Sequence, residues 1–222
     1  MLIIMIDEEK WNSYFYDGEE VLKNKLNIHD CIELKKKEYE IVAKKNVLLY
    51  LSQYNGDFDI NYLRYIHKYL FEDIYYFAGN FRDVNIGKDE RASFTDYHEI
   101  EVNLKEILNN LDSKLINYSY SKFLYAEALA NIYYLLLEIH HFREGNGRTI
   151  REFLREYVKE KNILNEYYNY ELDFILSKDE KELLDKATKG VTRGELVLFF
   201  NKMLKCKVKD NKKAIKNVMN KN

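Results

Sequence analysis

The sequence predicts an all-α fold with one small β-hairpin. Proline is absent from the 222 residues and glycine occurs only 8 times, and helix interiors disfavour both residues. Apolar residues also recur with helical spacing along most of the chain. Hydrophobic residues make up 46% of the composition, which is ample for a buried core. The 35 basic and 37 acidic side chains give a net charge of −2, so charge alone predicts no binding to nucleic acid or to an anionic membrane.

Compartment can be predicted from two features of the chain. The apolar N-terminal stretch, residues 1–6, ends at Asp7 and is too short for a signal peptide or a membrane span. The cysteines Cys31 and Cys206 are too few and too far apart for a disulfide framework or a metal knuckle. We therefore expect a soluble protein of the reducing cytoplasm.

Helical patterns account for the first part of the chain. Residues 28–55 are rich in lysine and glutamate with recurring apolar positions, which is typical of a long surface helix. Asp59 is a good N-cap for a helix over residues 60–76, which Gly79 would end. A further helix is predicted over residues 97–111.

The next two helices differ in character. Residues 122–139 are apolar almost all round, which is typical of a central, buried helix. Residues 149–160 are amphipathic and form the second. Towards the C-terminus, capping boxes at Ser177 with Glu180 and at Thr192 with Glu195 begin two further helical patterns.

Only one segment breaks the helical period in favour of strand structure. Residues 82–94 alternate, turn at Gly87 and Lys88, and lead back, which predicts a short β-hairpin. From residue 202 onwards lysines dominate. We accordingly predict a single domain over residues 1–204, with a core at about 60–165, and a basic, flexible tail over 205–222.

The chemistry-bearing residues lie together between the central helix and the amphipathic one. Glycines just before a helix allow a close approach of an anion, and the free N–H groups of the helix attract phosphate. Two arginines in the first turn can face the same way and suit a polyphosphate. A glutamate offers a hard oxygen ligand for Mg²⁺, and a histidine delivered by the buried helix can serve as a general base. The segment runs His140-His-Phe-Arg-Glu-Gly-Asn-Gly-Arg148-Thr-Ile-Arg151.

This segment resembles the Fic family (filamentation induced by cAMP), whose motif is H-x-F-x-[D/E]-G-N-G-R-x-x-R. Every specified position is filled here: His140, Phe142, Glu144, Gly145, Asn146, Gly147, Arg148 and Arg151. His141 stands where most relatives have proline. The resemblance extends over residues 10–200, through Tyr14-x-Tyr16-x-Gly18, residues 66–82 and the hairpin Val84-Asn-Ile-Gly-Lys88. It implies a Fic-type helical bundle whose hairpin is the element called the flap.

The resemblance also implies an activity, namely adenylylation, the transfer of AMP from Mg·ATP to a Tyr, Ser or Thr hydroxyl of a target protein. In this sequence His140 would accept the proton of the hydroxyl and Glu144 would hold Mg²⁺. Gly145, Asn146 and Gly147 would cradle phosphates, and Arg148 and Arg151 would bind the β and γ groups. Lys88, at the turn of the hairpin, would also bind the nucleotide. The flap would hold the target segment by strand addition.

Regulation by a partner follows from an element that the sequence lacks. Many Fic proteins carry an inhibitory helix with the pattern [S/T]-x-x-x-E-[G/N], and the two nearest matches fail. Ser13…Asp17-Gly18 has aspartate for glutamate, and Thr95…Glu99-Ile100 has the wrong final residue. We expect a small antitoxin to supply the glutamate to Arg151 in trans. Toxins of this build often modify the ATPase subunit of a type II topoisomerase, which makes that subunit a candidate target.

Several alternatives stay open at this point. His140, His141 and Glu144 could be metal ligands, although that leaves the glycines and arginines unexplained. Kinase relatives replace the second glycine with a basic residue, so Gly147 argues against phosphate transfer. Transfer of another phosphate-linked group, such as phosphocholine, is compatible with the loop. A catalytically idle helical interaction module is disfavoured because every reactive position is filled. His29, His67 and His98 are read as structural.

Overall fold

The computed structural model describes residues 7–52, 54, 56–87, 94–162, 165, 168–174, 184 and 193–208. These residues are mostly helical, as the sequence predicts. The α-helices are α1 (Glu8–Ser13), α2 (Cys31–Leu51), α3 (Ile60–Phe71), α4 (Ile100–Leu108), α5 (Leu111–Leu115), α6 (Lys122–Ile139), α7 (Asn146–Lys161) and α8 (Arg193–Met203). Short 3₁₀ turns lie at Tyr97–Glu99 and Ile116–Tyr118, and the strands are β1 (Tyr168–Leu172) and β2 (Leu204–Val208).

Aspartate side chains start the first three helices. Asp7, Asp30 and Asp59 each accept a hydrogen bond from a backbone N–H in the first turn, at 3.1, 2.7 and 2.9 Å. Such caps satisfy donors that have no acceptor inside the helix. The predicted cap at Asp59 is confirmed, but α3 ends at Phe71, earlier than the predicted residue 76, because the chain turns there towards Gly79.

The chain divides into two compact units. The first comprises residues 1–109 and 135–153, and the second comprises residues 110–134 and 154–222. In the first unit, α3 packs against α2 and α4. Many of its fully buried side chains come from α3, the end of α6, the loop that follows α6 and the start of α7: Leu63, Ile66, Leu70, Phe71, Leu136, Phe142, Ile150 and Phe153.

The second unit has a core of its own. It buries residues from the part of α6 that ends at Tyr134, from the second half of α7 and from α8: Ala126, Leu129, Tyr133, Leu154, Tyr157, Phe199 and Phe200. The prediction that residues 122–139 form a buried helix is thus confirmed in the main. Phe123 and Leu135 are exceptions, since both are exposed.

The two-stranded sheet lies where the sequence analysis predicted no strand. β1 and β2 pair antiparallel, from Tyr168 opposite Val208 to Leu172 opposite Leu204. Residues 205–208, which were assigned to a flexible tail, therefore belong to a strand. In Leu-Lys-Cys-Lys-Val the lysines alternate with other residues, which is the period of a half-buried strand. Nζ of Lys205 also lies 3.0 Å from Oδ2 of Asp173, so this lysine pairs with an acidic side chain. A high lysine content alone was therefore a poor basis for predicting a flexible tail here.

The predicted hairpin is described only at its base. The backbone N–H of Phe94 donates to the carbonyl of Ile86 at 3.2 Å, so the two arms meet there. Residues 88–93, including Lys88, lie outside the described part of the chain. Within the described residues, no helix has both the length and the apolar character needed to cross a membrane.

Candidate active site

A six-residue loop joins α6 to α7 and carries the first half of the motif. Two residues with positive φ bound it, His140 at 49° and Gly145 at 82°. This left-handed conformation commonly ends a helix, and non-glycine residues adopt it rarely. His140 therefore occupies a constrained backbone position directly after the last residue of α6, and the loop ends at the first turn of α7.

Glycine is required at position 145 for space as well as for φ. A Cβ atom at this position would lie 2.4 Å from Cζ of Phe71, a fully buried side chain of α3. The close approach brings the loop against α3 and lets α7 begin at Asn146, three residues before the predicted start. The N–H groups of Asn146, Gly147 and Arg148 thus occupy the first helical turn, where they have no acceptor within the helix.

The Asn146 side chain holds the loop together. Its Oδ1 accepts from the N–H of Phe142 at 2.8 Å, and its Nδ2 donates to the carbonyl of the same residue at 2.8 Å. Asn146 is almost fully buried and Phe142 is fully buried. The sequence analysis placed Asn146 among the phosphate ligands, but its amide group is committed to the backbone of Phe142. A phosphate contact from this residue is left to its N–H group.

His67 lies on α3 and supports the loop. The sequence predicted only that this histidine is structural. Its Nδ1 accepts from the N–H of Gly79 at 2.8 Å, so Nε2 carries the proton and donates to the carbonyl of Glu144 at 3.0 Å. Its ring also stacks on Phe142 at a centroid distance of 3.7 Å. Burial lowers the pKa of His67 to about 3, which keeps the imidazole neutral.

His140 combines burial with a fixed orientation. Its ring stacks on Phe94, at the base of the predicted flap, with centroids 3.9 Å apart. Burial, and then the positive charge of Arg82, lower the pKa of His140 to about 4. The imidazole is therefore neutral near pH 7, and a neutral imidazole has one nitrogen that can accept a proton. This is the state that a general base requires.

Arg82 fixes the backbone on both sides of His140. Its guanidinium donates to the carbonyl of His140 at 2.7 Å, to that of Val84 at 2.7 Å and to that of Ile139 at 3.2 Å, and also to the carbonyl of Thr95. The side chain is 2% exposed. Arg82 thus connects the end of α6 to both arms of the hairpin. The sequence offered only its place in the Fic-like segment 66–82 as a signal.

Arg143, a variable position of the motif, joins the loop to α1. Its guanidinium carbon lies 4.3 Å from the ring centre of Trp11 and 5.1 Å from that of Phe15. Cation–π contacts of this kind are strongest when they are desolvated. Burial lowers the pKa of Arg143. The N-terminal helix is therefore held directly against the motif.

The charged residues of the motif gather around the first turn of α7. Oε1 of Glu144 accepts from the N–H of Gly145 at 2.9 Å and lies 3.4 Å from Nη2 of Arg148. Arg151 follows Arg148 by three residues on the same helix. His140, Glu144 and Gly145 thus lie in the loop, and Asn146, Gly147, Arg148 and Arg151 lie on the first two turns of α7. Of the predicted site residues, Lys88 lies outside the described part of the chain.

The donor set at Glu144 fits the Mg²⁺ that the resemblance implies. The Glu144 side chain is 45% exposed, so its carboxylate can be reached from solution. Among the described residues, no group of three or more His, Cys, Asp or Glu side chains could hold a metal ion by itself. Mg²⁺ is commonly bound by one or two carboxylates together with substrate phosphates and water. Glu144 beside an anion-binding helix terminus is suited to that arrangement.

Comparison with known proteins identifies the class to which this fold and loop belong. The family model described as Fic/DOC matches residues 57–158, which include the whole loop. A Sinorhizobium fredii protein named "Probable protein adenylyltransferase y4lH" is 32% identical over 166 residues, covering 71% of this chain and 77% of that protein. The chain belongs to the Fic/DOC family.

Two further relatives show how far the similarity extends. Protein adenylyltransferase VbhT of Bartonella schoenbuchensis is 34% identical over 144 residues, covering 63% of this chain but only 29% of that longer protein. The crystal structure of the N-terminal Fic domain of a VirB-translocated effector from Bartonella quintana, with bound ADP, is 25% identical. It superposes with a TM-score of 0.73 and covers 87% of this chain and 95% of that one.

Proposed function

We propose that this chain is a protein adenylyltransferase that transfers AMP from Mg·ATP to a Tyr, Ser or Thr hydroxyl of a target protein. The observation that carries the proposal is the loop between α6 and α7. It places a neutral, oriented histidine next to a carboxylate and the N-terminus of an arginine-bearing helix. The names of the two adenylyltransferase relatives and the ADP bound to the B. quintana domain support a nucleotide as the ligand.

The chain's own residues supply positioning, charge and one proton transfer. A ring nitrogen of the neutral His140 accepts the proton of the target hydroxyl as the hydroxyl oxygen attacks the α-phosphorus. A bond forms between that oxygen and phosphorus, the bond from phosphorus to the bridging oxygen breaks, and pyrophosphate leaves. The first-turn N–H groups of α7 and the guanidinium groups of Arg148 and Arg151 stabilise the phosphate charge. Mg²⁺, held by Glu144 and phosphate oxygens, would neutralise charge on the leaving group.

The hairpin would deliver the target. Its base, at Ile86 and Phe94, lies beside His140 through the contact of the Phe94 ring. An extended target segment that pairs with the flap as an added strand would therefore bring its hydroxyl close to His140. Lys88 is proposed as a nucleotide contact on the strength of the family resemblance alone.

We also propose that the protein is the cytoplasmic toxin of a toxin–antitoxin pair, with a type II topoisomerase ATPase subunit as the candidate target. Neither near-match to the inhibitory pattern forms one continuous helix. Helix α1 ends at Ser13, and Glu99 lies in a 3₁₀ turn after extended chain from Thr95. These observations support a separate antitoxin that acts on Arg151.

The activity of the purified chain tests this regulation. We expect high activity that Asp17→Ala leaves unchanged. Near-inactivity that Asp17→Ala relieves contradicts this regulation.

Transfer of label from ATP tests the proposed reaction. Purified protein and the His140→Ala variant are incubated with Mg²⁺, a bacterial lysate, and ATP labelled at either the α- or the γ-phosphate. We expect label in a protein band from the α position only, and none with the variant. Label from the γ position alone identifies a kinase. Label from neither position, with transfer from labelled CDP-choline instead, identifies phosphocholine transfer.

A further inference from the structure

Glu38 is a buried carboxylate outside the Fic motif. It belongs to α2, whose other charged side chains mostly face solvent, yet only 8% of Glu38 is exposed. Glutamate is almost never buried to this extent without a partner. The lysine- and glutamate-rich pattern of this segment predicted a surface helix, with no role for Glu38.

Both carboxylate oxygens of Glu38 are engaged. Oε1 lies 2.6 Å from Nη1 of Arg148, the first arginine of the motif. Oε2 accepts the hydroxyl hydrogen of Tyr75. The guanidinium carbon of Arg148 also lies 4.8 Å from the ring centre of Phe71. Arg148 is thus held by a charged hydrogen bond on one side and by an aromatic ring on another.

Glu144 competes for the same guanidinium. Its Oε1 lies 3.4 Å from Nη2 of Arg148, a longer contact than the one with Glu38. The Glu144 side chain is 45% exposed, whereas that of Glu38 is 10% exposed. A buried partner in a short contact holds an arginine more firmly than an exposed one. Without the charge of Glu38, the guanidinium would turn towards Glu144.

We propose that Glu38 is a positioning residue that takes the shorter contact with Arg148 and so limits Glu144 to the longer one. It keeps the Glu144 carboxylate available for a divalent cation and directs the remaining N–H groups of Arg148 towards the phosphates. Tyr75 orients Glu38 through its hydroxyl. This inference rests on the proposed function, and it extends the site from the motif loop to α2.

Glu38→Gln separates the charge from the shape of this side chain, and Glu40→Gln is the matched control. Glu40 lies on the same helix and its partner is Lys37, at 3.1 Å, with 43% of its side chain exposed. Binding of fluorescent ADP is titrated at several Mg²⁺ concentrations, with thermal melting as the check on folding. We expect Glu38→Gln to weaken Mg²⁺-dependent binding about tenfold and to raise the Mg²⁺ concentration required. Glu40→Gln remains like the wild type, and Tyr75→Phe is intermediate.

A second readout needs no nucleotide. The side-chain nitrogen signals of Arg148, assigned with Arg148→Lys, report rotation about the Nε–Cζ bond by NMR. We expect separate Nη signals in the wild type and in Glu40→Gln, and averaged signals in Glu38→Gln. Separate signals together with unchanged Mg²⁺ dependence in Glu38→Gln overturn the inference. A wild type that binds no ADP refutes the proposed function instead, while the NMR comparison still decides whether Glu38 holds Arg148.

Discussion

His140, His67 and His141 are buried side by side around the motif, and all three are held in the neutral form. Burial is the largest cause of the lowered pKa in each case. For His67, hydrogen bonds assign the tautomer, so its ring has one defined donor and one defined acceptor, whereas the ring of His140 is oriented by its stacking on Phe94. Neutrality therefore serves orientation in His67 and basicity in His140.

The pH dependence of transfer tests the state of His140. Because its pKa is lowered to about 4, the imidazole stays unprotonated throughout the neutral range. We expect the rate of AMP transfer at saturating Mg·ATP to be flat from about pH 8 to about pH 5.5 and to fall only below that. A rate that halves near pH 6.5, the ordinary pKa of histidine, contradicts the account.

Replacement of His141 by leucine tests the cost of its burial. Both ring nitrogens of His141 are buried with no hydrogen-bond partner, and the residue is fully buried. Leucine has a similar volume and needs no partner, so His141→Leu should raise the free energy of unfolding by about 1–3 kcal/mol at pH 7. Urea unfolding measures the change. A destabilised variant would show that the imidazole has a polar role.

At the scale of elements, the hairpin and the end of α6 meet at Arg82. A single guanidinium satisfies carbonyls of His140, Val84, Thr95 and Ile139, which belong to both arms of the hairpin and to the end of α6. Asn85 reinforces the base, since it donates to Asp96 at 3.0 Å and accepts from the N–H of Tyr97 at 3.0 Å. The position of the flap relative to His140 therefore depends on buried hydrogen bonds.

Arg82→Lys tests this dependence, because an ammonium cannot reproduce the fork of the guanidinium. We expect a loss of about 2–4 kcal/mol in the free energy of unfolding and at least a roughly tenfold loss of transfer. Arg64→Lys is the control, since Arg64 donates to the carbonyl of Gly79 at 2.9 Å from a less buried position. Arg64→Lys should lower the free energy of unfolding by less than about 1 kcal/mol. Equal losses of stability and of transfer in the two variants would show that Arg82 contributes no more than Arg64.

Local signals predicted some elements well and others poorly. The start of α3 follows from Asp59, a cap that acts within one turn, and the motif loop follows from residues adjacent in sequence. The pairing of β1 with β2 joins residues that are far apart, and the lysines of β2 concealed its alternation. Glu38, His67 and Arg82 act on the loop from other elements, so their roles depend on tertiary contacts that spacing alone does not reveal. The hydrogen bonds of the Asn146 side chain to the backbone of Phe142 also depend on the folded loop.

For the molecule as a whole, the three buried histidines predict sensitivity to acid. The unfolded chain binds their protons near pH 6.5, whereas the folded state binds them only at lower pH. Their contribution to stability is therefore present above pH 6.5 and is lost as the pH falls towards about 4. The loss approaches roughly 1.4 kcal/mol per pH unit for each histidine. Urea unfolding at several pH values measures it, and His141→Leu should reduce the slope by about a third.

A stability that stays constant between pH 6.5 and 4.5 would contradict this account of the buried histidines.

The most direct test of the central claim is mass spectrometry of modified proteins. A bacterial lysate is incubated with Mg²⁺, the purified protein and an equal mixture of unlabelled ATP and ATP with a ¹³C,¹⁵N-labelled adenosine. The account predicts peptides in which a Tyr, Ser or Thr side chain carries AMP as paired isotopic masses, with wild type and not with His140→Ala. Paired peptides that persist with His140→Ala, or phosphate additions without adenosine, would contradict it.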